Sequence, residues 1–207
     1  MRWSIMGLFR QSKTALAPVK DVSQEIGLGD GRFLIEAARA GEKNFVQYLL
    51  DRQANVNATD DRGKTPLGIA AHNGDMKLVQ MLLGAQAQVG IPDHEGNTPL
   101  HWAAHRGHKN VVELLVARGA KINQANHDGN SPLILAMLLG QKDVVQYLVD
   151  MDADIMQANR KGVSALSIAE SIEGRDAPNG IAAVVRRANN SVRPSTTVLP
   201  NATLQMQ

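Results

Sequence analysis

The residues of this 207-residue chain with the most evident capacity for chemistry are its six histidines, three of which lie close together. His101, His105 and His108 follow one another at intervals of four and three residues, and two histidines four apart on a helix can bind zinc. No glutamate occupies the position of an H-E-x-x-H motif, where it would act as a general base. The role of these histidines therefore depends on the elements that carry them.

Other reactive patterns in the sequence are incomplete. The stretch from Gly27 to Gly31 is rich in glycine, but no strand precedes it as a phosphate-binding loop requires, so we predict a flexible connection. Asp60-Asp61 and the run from Asp150 to Asp154 lack the glycine and the distal glutamate of a calcium loop. The chain has no cysteine, which excludes a thiolate metal site and a cysteine nucleophile. We predict that the protein is not an enzyme and uses no cofactor.

The net charge of +2 hides an uneven distribution of basic residues. Residues 1–20 carry four basic residues and residues 181–207 carry three, and neither segment has an acid. The intervening body has 15 basic and 20 acidic residues, which gives it a net charge of −5. An acidic body disfavours contact with phosphate backbones, and the basic tails lack interleaved aromatics, so we predict no nucleic-acid partner.

The N-terminal segment, residues 1–27, supports more than one interpretation. Arg10 and Lys13 follow its short apolar stretch, so we predict a flexible or short helical basic segment that is not a secretory signal, in a cytoplasmic protein. No apolar run in the chain approaches the roughly 20 residues of a membrane span. Two alternatives stay open: an amphipathic helix over residues 1–20 that contacts a membrane or targets an organelle, and a secreted bacterial effector or immunity protein.

An internal repeat of 33 residues decides the fold class. Each unit has a Thr or Ser that predicts a helix N-cap, and in three units proline follows at the first helical position. A glycine then predicts the end of a short first helix, and a second helix with apolar residues at helical spacing follows. Two short helices must stack on neighbouring units to bury their apolar faces. The four series in register are Gly63, Gly96, Gly129 and Gly162; Thr65, Thr98, Ser131 and Ser164; Leu67, Leu100, Leu133 and Leu166; and Gly41, Gly74, Gly107 and Gly140.

The third unit resembles the ankyrin repeat almost residue for residue. The matching segments run from Gly96 to Ala104 (GNTPLHWAA) and from Val111 to Leu115 (VVELL), with Gly107-His108 and Gly119-Ala120 beside them. The resemblance implies an all-α solenoid of stacked helix-turn-helix units: inner helices line a concave groove, outer helices form the convex back, and β-turn fingers project between units. We predict a domain over residues 28–188, with repeats at about 30–60, 61–93, 94–126 and 127–159, a C-terminal cap at 160–188, and a disordered tail at 189–207.

The resemblance also assigns the histidines. It implies that the His101 imidazole bonds the cap residue Thr98 and neighbouring backbone, and that His108 opens the outer helix. Only His105 is left without a role in the motif. We therefore predict that the chain holds no metal.

Three positions depart from the repeat pattern. Gln53, Gln86 and Asp152 stand where the third unit has Gly119. If they adopt a positive φ, each costs about 1 kcal/mol relative to glycine.

The resemblance further implies that the protein binds another protein through its fingertips and the ends of its inner helices. We predict that these positions face solvent, and that the chain is monomeric on its own; the sequence does not name the partner. The candidate partner-binding residues are Arg62, Lys64, His94, Glu95, His127 and Asp128 at fingertips, His72, Asn73, His105, Arg106, Leu138 and Leu139 at inner-helix ends, and Trp102 in the third inner helix; Asn97 is also expected at a fingertip.

The fourth inner segment, from Leu133 to Leu139, is apolar on all sides, whereas a helix on a groove wall should have a polar face. Together with Trp102 and a rim formed by His105, Arg106 and His127, it resembles a binding hot spot. The alternative is that the C-terminal tail or the polar insertion at 173–179 folds back over these residues. The sequence leaves both interpretations open.

Overall fold

The computed structural model of the chain describes residues 31–172 and 180–192. These ranges form ten α-helices and contain no strand, only an isolated bridge between Ala158 and Ser164. The all-α solenoid is therefore confirmed. The helices are α1 (Arg32–Ala40), α2 (Lys43–Leu50), α3 (Pro66–Asn73), α4 (Met76–Gly84), α5 (Pro99–Arg106), α6 (Lys109–Ala117), α7 (Pro132–Leu138), α8 (Lys142–Asp150), α9 (Ala165–Ser171) and α10 (Ile181–Val192).

The predicted hydroxyl caps begin the inner helices from the second unit onward. The Thr65 Oγ1 accepts a hydrogen bond from the Gly68 N–H at 3.0 Å, and Ser131 caps α7 in the same way. Proline at the first helical position adds a pre-set φ and has no N–H to leave unpaired. Glycine with φ between 71° and 75° ends α1, α3 and α5, so the chain turns at once into an outer helix.

The core is one continuous aliphatic cluster that runs through all the units. Leucines at equivalent repeat positions, such as Leu67, Leu100 and Leu133, are buried between successive inner helices. Inner helix α3 packs on α5 and α5 packs on α7, while the outer helices cover the other side. Because each unit buries its apolar face only against its neighbours, the stack, not the single unit, is the folded entity.

The fingers between units stack through one backbone hydrogen bond at each step. Each finger contains one glycine of the series Gly63, Gly96, Gly129 and Gly162, which we call the finger glycine. The donor is the N–H of the residue two positions before a finger glycine. The acceptor is the carbonyl of the residue one position before the finger glycine of the preceding unit. The bonds join His94 N to Arg62 O (2.9 Å), His127 N to Glu95 O (2.9 Å) and Arg160 N to Asp128 O (3.0 Å). We call this series the finger ladder.

Side-chain amides reinforce the finger ladder and correct one prediction. Asn126 donates from Nδ2 to the Asn97 Oδ1 at 2.8 Å, and Asn159 donates to the Asn130 Oδ1 at 2.7 Å. Asn97 is only 7% exposed, so the prediction that it faces solvent is wrong. A primary amide both donates and accepts, and this lets Asn97 serve as a buried link between fingers.

The last helix is longer than predicted. Helix α10 continues to Val192, four residues past the expected boundary at 188, so residues 189–192 are helical and do not belong to a disordered tail. The Ser191 hydroxyl bonds the Ala188 carbonyl at 2.7 Å within this extension. The insertion at 173–179, the segment 1–30 and residues 193–207 lie outside the described residues. Within the described ranges, no helix is long and apolar enough to cross a bilayer.

The structure places Gln53, Gln86 and Asp152 at φ values of 58°, 64° and 58°. All three therefore have the positive φ for which a cost relative to glycine was predicted. Glycine at Gln53 and at Gln86 is therefore expected to raise the free energy of unfolding by about 1 kcal/mol each, because glycine tolerates this conformation. Urea denaturation of single variants measures the effect. Gln80→Gly, at an exposed site inside α4, is the control and should lose about 1 kcal/mol. A loss of stability at both Gln53 and Gln86 would contradict the strain argument.

Candidate partner-binding surface

Trp102 is the centre of a cluster on the inner-helix side of the second and third units. Its indole Nε1 donates to the Asp93 Oδ2 at 2.9 Å, which fixes the orientation of the half-buried ring. The Lys64 Nζ, which comes from the preceding finger, lies 3.6 Å from the ring centroid in cation–π geometry. Two residues predicted from separate positions, Lys64 and Trp102, are thus in direct contact.

Two histidines flank the same indole. The His72 and His105 rings meet Trp102 edge-on, with centroid distances of 5.3 Å and 5.9 Å. Burial lowers the pKa of both histidines, and the neighbouring cations of Arg106 and Lys64 lower each pKa further. The Asn73 side chain, 3.3 Å from the His72 Nδ1, acts in the opposite direction on His72. At neutral pH both rings are therefore uncharged.

A groove beside this cluster connects it to the fourth unit. The groove has a volume of about 550 Å³ and brings His72, Asn73, His105 and Arg106 together with Leu139. Gln141 closes one side, where its Nε2 donates to the His105 carbonyl at 3.3 Å. The predicted inner-helix-end residues of three successive units therefore form one continuous surface.

The apolar end of α7 is accessible to solvent in the described part of the chain. Leu138 is 56% exposed and Leu139 is 48% exposed, while Leu133, Ile134 and Met137 of the same segment are buried. Leu138 and Leu139 therefore face solvent, as expected for inner-helix ends, while the binding hot spot itself stays a prediction. The two segments proposed as a cover, residues 173–179 and the tail beyond 192, lie outside the described residues.

The fingertip residues form a separate row. Arg62, His94, Glu95, His127 and Asp128 are all exposed. Apart from Lys64, the predicted fingertip side chains do not join the Trp102 cluster. His127 lies over the preceding finger instead, with its ring against Gly96. No contact between His127 and Trp102 is observed in the described residues, so the role of His127 at the rim of the hot spot stays a prediction.

His101 belongs to the scaffold and not to the surface. Its Nδ1 lies 2.8 Å from the Thr98 Oγ1 and accepts the Thr98 N–H at 3.1 Å, while its Nε2 lies 3.1 Å from the Asn130 carbonyl of the next unit. These partners require the tautomer with the proton on Nε2. Burial lowers the pKa of His101 to about 4, so the ring is neutral at pH 7. The role expected from the motif is confirmed.

His108 also serves the scaffold, although the sequence did not indicate how. It stands at the N-cap of α6, as expected, and its Nε2 lies 3.1 Å from the carbonyl of His72 in the preceding unit. His105 keeps a buried Nδ1 without a hydrogen-bond partner in the described part of the chain. Within residues 31–172 and 180–192, no three His, Cys, Asp or Glu side chains lie close enough together to hold a metal ion.

Asp93 is the residue of the cluster that sequence reasoning missed. Its Oδ1 accepts the N–H groups of Glu95 and Asn97, and its Oδ2 holds Trp102. The signal was present in the repeat, because Asp60, Asn126 and Asn159 occupy the equivalent positions. Each closes its own finger by accepting two backbone N–H groups in the same way.

Comparison with known families agrees with this architecture. The family model for ankyrin repeats in three copies matches residues 34–126 and, shifted by one unit, residues 67–159. Together these matches cover more than half of the chain, and the protein belongs to the ankyrin-repeat family. Ankyrin repeats are generally protein–protein interaction modules, and their fold is typically a non-enzymatic binding scaffold. No curated protein matches the chain in a sequence comparison.

Proposed function

We propose that this chain is a scaffold, adaptor or inhibitor that binds a protein partner through its concave groove and fingertips. The observation that carries the proposal is the exposure of Leu138 and Leu139 at the end of an inner helix whose preceding residues are buried. Large aliphatic side chains side by side on a surface carry an energetic cost in water that a partner can relieve. They are two of four large apolar side chains exposed in the described ranges, and Leu139 lines the groove.

The surroundings of the leucines support a binding role. Trp102 and Arg106, one unit away, are of the residue types that most often dominate interface energies. Arg106 is exposed, and Trp102 is half-buried with its orientation fixed by Asp93. A pre-oriented aromatic residue beside exposed aliphatic ones loses little side-chain entropy when a partner binds.

Self-cover by the insertion at 173–179 is the competing explanation for the leucines. That segment carries Glu173, Arg175 and Asp176, and its apolar residues are only Ala177 and Pro178. Its composition provides little apolar area for two leucines, which favours an external partner. The tail beyond 192 is a second candidate for cover, and the following experiment separates it from a partner.

Aspartate at both Leu138 and Leu139 is expected to abolish capture of the partner from a native lysate and to change the free energy of unfolding by less than about 1 kcal/mol. Exposed side chains contribute little to the core, whereas a charge on each would oppose an apolar contact. Cross-linking to the immobilised full-length chain measures capture of the partner, and urea denaturation measures the free energy of unfolding. Met156→Asp, at a 62% exposed methionine outside the groove, is the matched control. A large loss of stability in the double variant would instead favour self-cover.

An alternative proposal keeps the binding module and adds a tether. The segment 1–20 has four basic residues and no acid, a composition suited to an anionic membrane surface. Flotation with anionic liposomes, comparing the full chain with a variant that lacks residues 1–20, separates this organelle- or membrane-associated adaptor from a cytoplasmic one. A secreted bacterial effector or immunity protein is the third form that the proposal can take.

A further inference from the structure

The concave surface around Trp102 concentrates basic groups although the body of the chain is acidic. The charged groups are Lys64, which lies over the indole, and Arg106, which lines the adjoining groove; the flanking His72 and His105 are uncharged at neutral pH. No acidic side chain within residues 31–172 and 180–192 forms an ion pair with Lys64 or Arg106. The groove of about 550 Å³ has no acidic residue in its lining. The surface therefore has positive charge available to an incoming anion.

Two carboxylates beside the cluster, those of Asp93 and Asp60, are engaged by other groups, while Glu36 and the exposed Asp61 line the adjoining cavity on the Lys64 side. Asp93 accepts two backbone N–H groups with Oδ1 and the Trp102 Nε1 with Oδ2. Asp60 accepts two backbone N–H groups with Oδ1 and pairs with Arg39 through Oδ2 at 2.9 Å. Neither carboxylate is free to turn towards Arg106 or to neutralise it by direct contact.

An apolar contact adjoins the basic groups. Leu139 lines the same groove as Arg106 and Asn73, and Leu138 is exposed immediately before it in the chain. A ligand that matches this surface needs negative charge and an aliphatic side chain within a few residues of each other. Proteins provide that combination in an acidic segment that contains Leu, Ile or Val.

We propose that the groove binds an acidic, aliphatic-containing peptide segment of the partner; the inference rests on the function proposed above and specifies the chemistry of the partner. The exposed Arg106 guanidinium receives a carboxylate in bidentate geometry, and Lys64 attracts a second one. The Asn73 amide lies in the same lining and supplies a donor or an acceptor for the peptide backbone. Leu138 and Leu139 pack against the aliphatic side chain.

A nucleic acid fits this surface less well, although phosphate would also be attracted to Arg106. Binding of single strands relies on aromatic faces for base stacking, and Lys64 covers a face of Trp102 while both histidines pack on its edges. The exposed fingertip acids Glu95 and Asp128 would repel a continuous phosphate backbone, whereas a short peptide avoids them.

The test uses the full chain and four fluorescein-labelled probes of equal length measured by fluorescence anisotropy. Three are twelve-residue peptide pools: one randomised over Asp, Glu, Leu, Ile and Val; one with Asn and Gln replacing the acids; and one with Lys and Arg replacing them. The fourth is single-stranded DNA of twelve nucleotides. We expect the acidic pool to bind about tenfold tighter than the amide pool, because one charge-assisted contact contributes about that factor.

Variants assign the binding to the groove. Arg106→Gln combined with Lys64→Gln should weaken binding of the acidic pool by about tenfold or more, and Leu139→Ser should weaken it as well. Arg118→Gln combined with Lys121→Gln removes the same charge from exposed residues that follow outer helix α6, and should leave binding unchanged.

The inference would be overturned by equal binding of the acidic and amide pools, by no effect of the Arg106 and Lys64 variant, or by preference for DNA. Binding of the basic or amide pool that depends on Leu139 would remove the acidic assignment and leave the proposed function standing. Absence of binding by every pool would remove the acidic assignment too, while the aspartate variants of Leu138 and Leu139 test the proposed function independently.

Discussion

Alanine at Gly129 is expected to lower the free energy of unfolding by about 3 kcal/mol, combining a conformational cost of about 1 kcal/mol with a steric cost of about 2 kcal/mol. Gly129 has a φ of 80°, and a Cβ there would lie 2.7 Å from the Arg160 N and 3.0 Å from the Asn159 Cα. Both atoms belong to the backbone of the next finger, so no side-chain rotation can relieve the contact. The variant must therefore displace a step of the finger ladder.

Gly162 provides the matched control. It stands one repeat later with a φ of 76°, and a Cβ there would meet no atom of the described chain within 4 Å. Gly162→Ala should therefore lose only the conformational part, about 1 kcal/mol. Urea denaturation of both variants measures the difference. Equal losses at the two glycines would show that the close approach of the fingers contributes nothing to stability.

Isoleucine at His101 is expected to cost about 3 kcal/mol at pH 7, because the buried Thr98 N–H and hydroxyl lose their shared partner. The Asn130 carbonyl also loses the imidazole but keeps the N–H of Asn126. Isoleucine is a suitable replacement because the fourth unit has Ile134, fully buried, at the same repeat position. An apolar side chain is therefore accommodated there, and the loss reports the hydrogen bonds. Unchanged stability would contradict this role.

The same variant should show a smaller deficit in acid. The pKa of His101 is about 4 in the folded chain and 6.5 when unperturbed, so its contribution is complete above pH 6.5 and declines as the pH falls towards 4. The difference between wild type and His101→Ile should thus shrink by up to about 3 kcal/mol between pH 7 and pH 4. Because His72 and His105 are present in both proteins, their titration cancels. A difference that is independent of pH would exclude a neutral, acid-sensitive His101.

Much of the fold follows from the sequence because the repeat imposes the same physical requirements four times. A hydroxyl cap, a proline without an N–H and a glycine that can adopt a positive φ each have a local reason to occur where they do. The positive φ of Gln53 and Gln86 was foreseeable for the same reason, since they occupy the repeat position that is Gly119 in the third unit. The role of His101 was foreseeable because the resemblance specified its partners.

The parts that were not foreseeable depend on distances between units. The burial of Asn97 results from its bond to Asn126 in the next finger, and the series alone does not reveal which fingertip residues point inward. The orientation of Trp102 depends on Asp93, nine residues earlier, and on Lys64 from the preceding finger. The extension of α10 to Val192 was missed because the polar composition after residue 188 favoured a tail.

The finger ladder has a consequence for how the array can change in length. Every step of the finger ladder pairs the same two backbone atoms of the repeat, counted from the finger glycine, so the backbone part of the junctions is interchangeable; side-chain bonds such as those of His101, His108 and Gln141 differ between junctions. A duplicated 33-residue segment such as 94–126 would offer, at both of its ends, the donor and the acceptor that its neighbours already use. Repeat gain or loss can therefore lengthen or shorten the groove by one inner helix and leave the remaining junctions as they are.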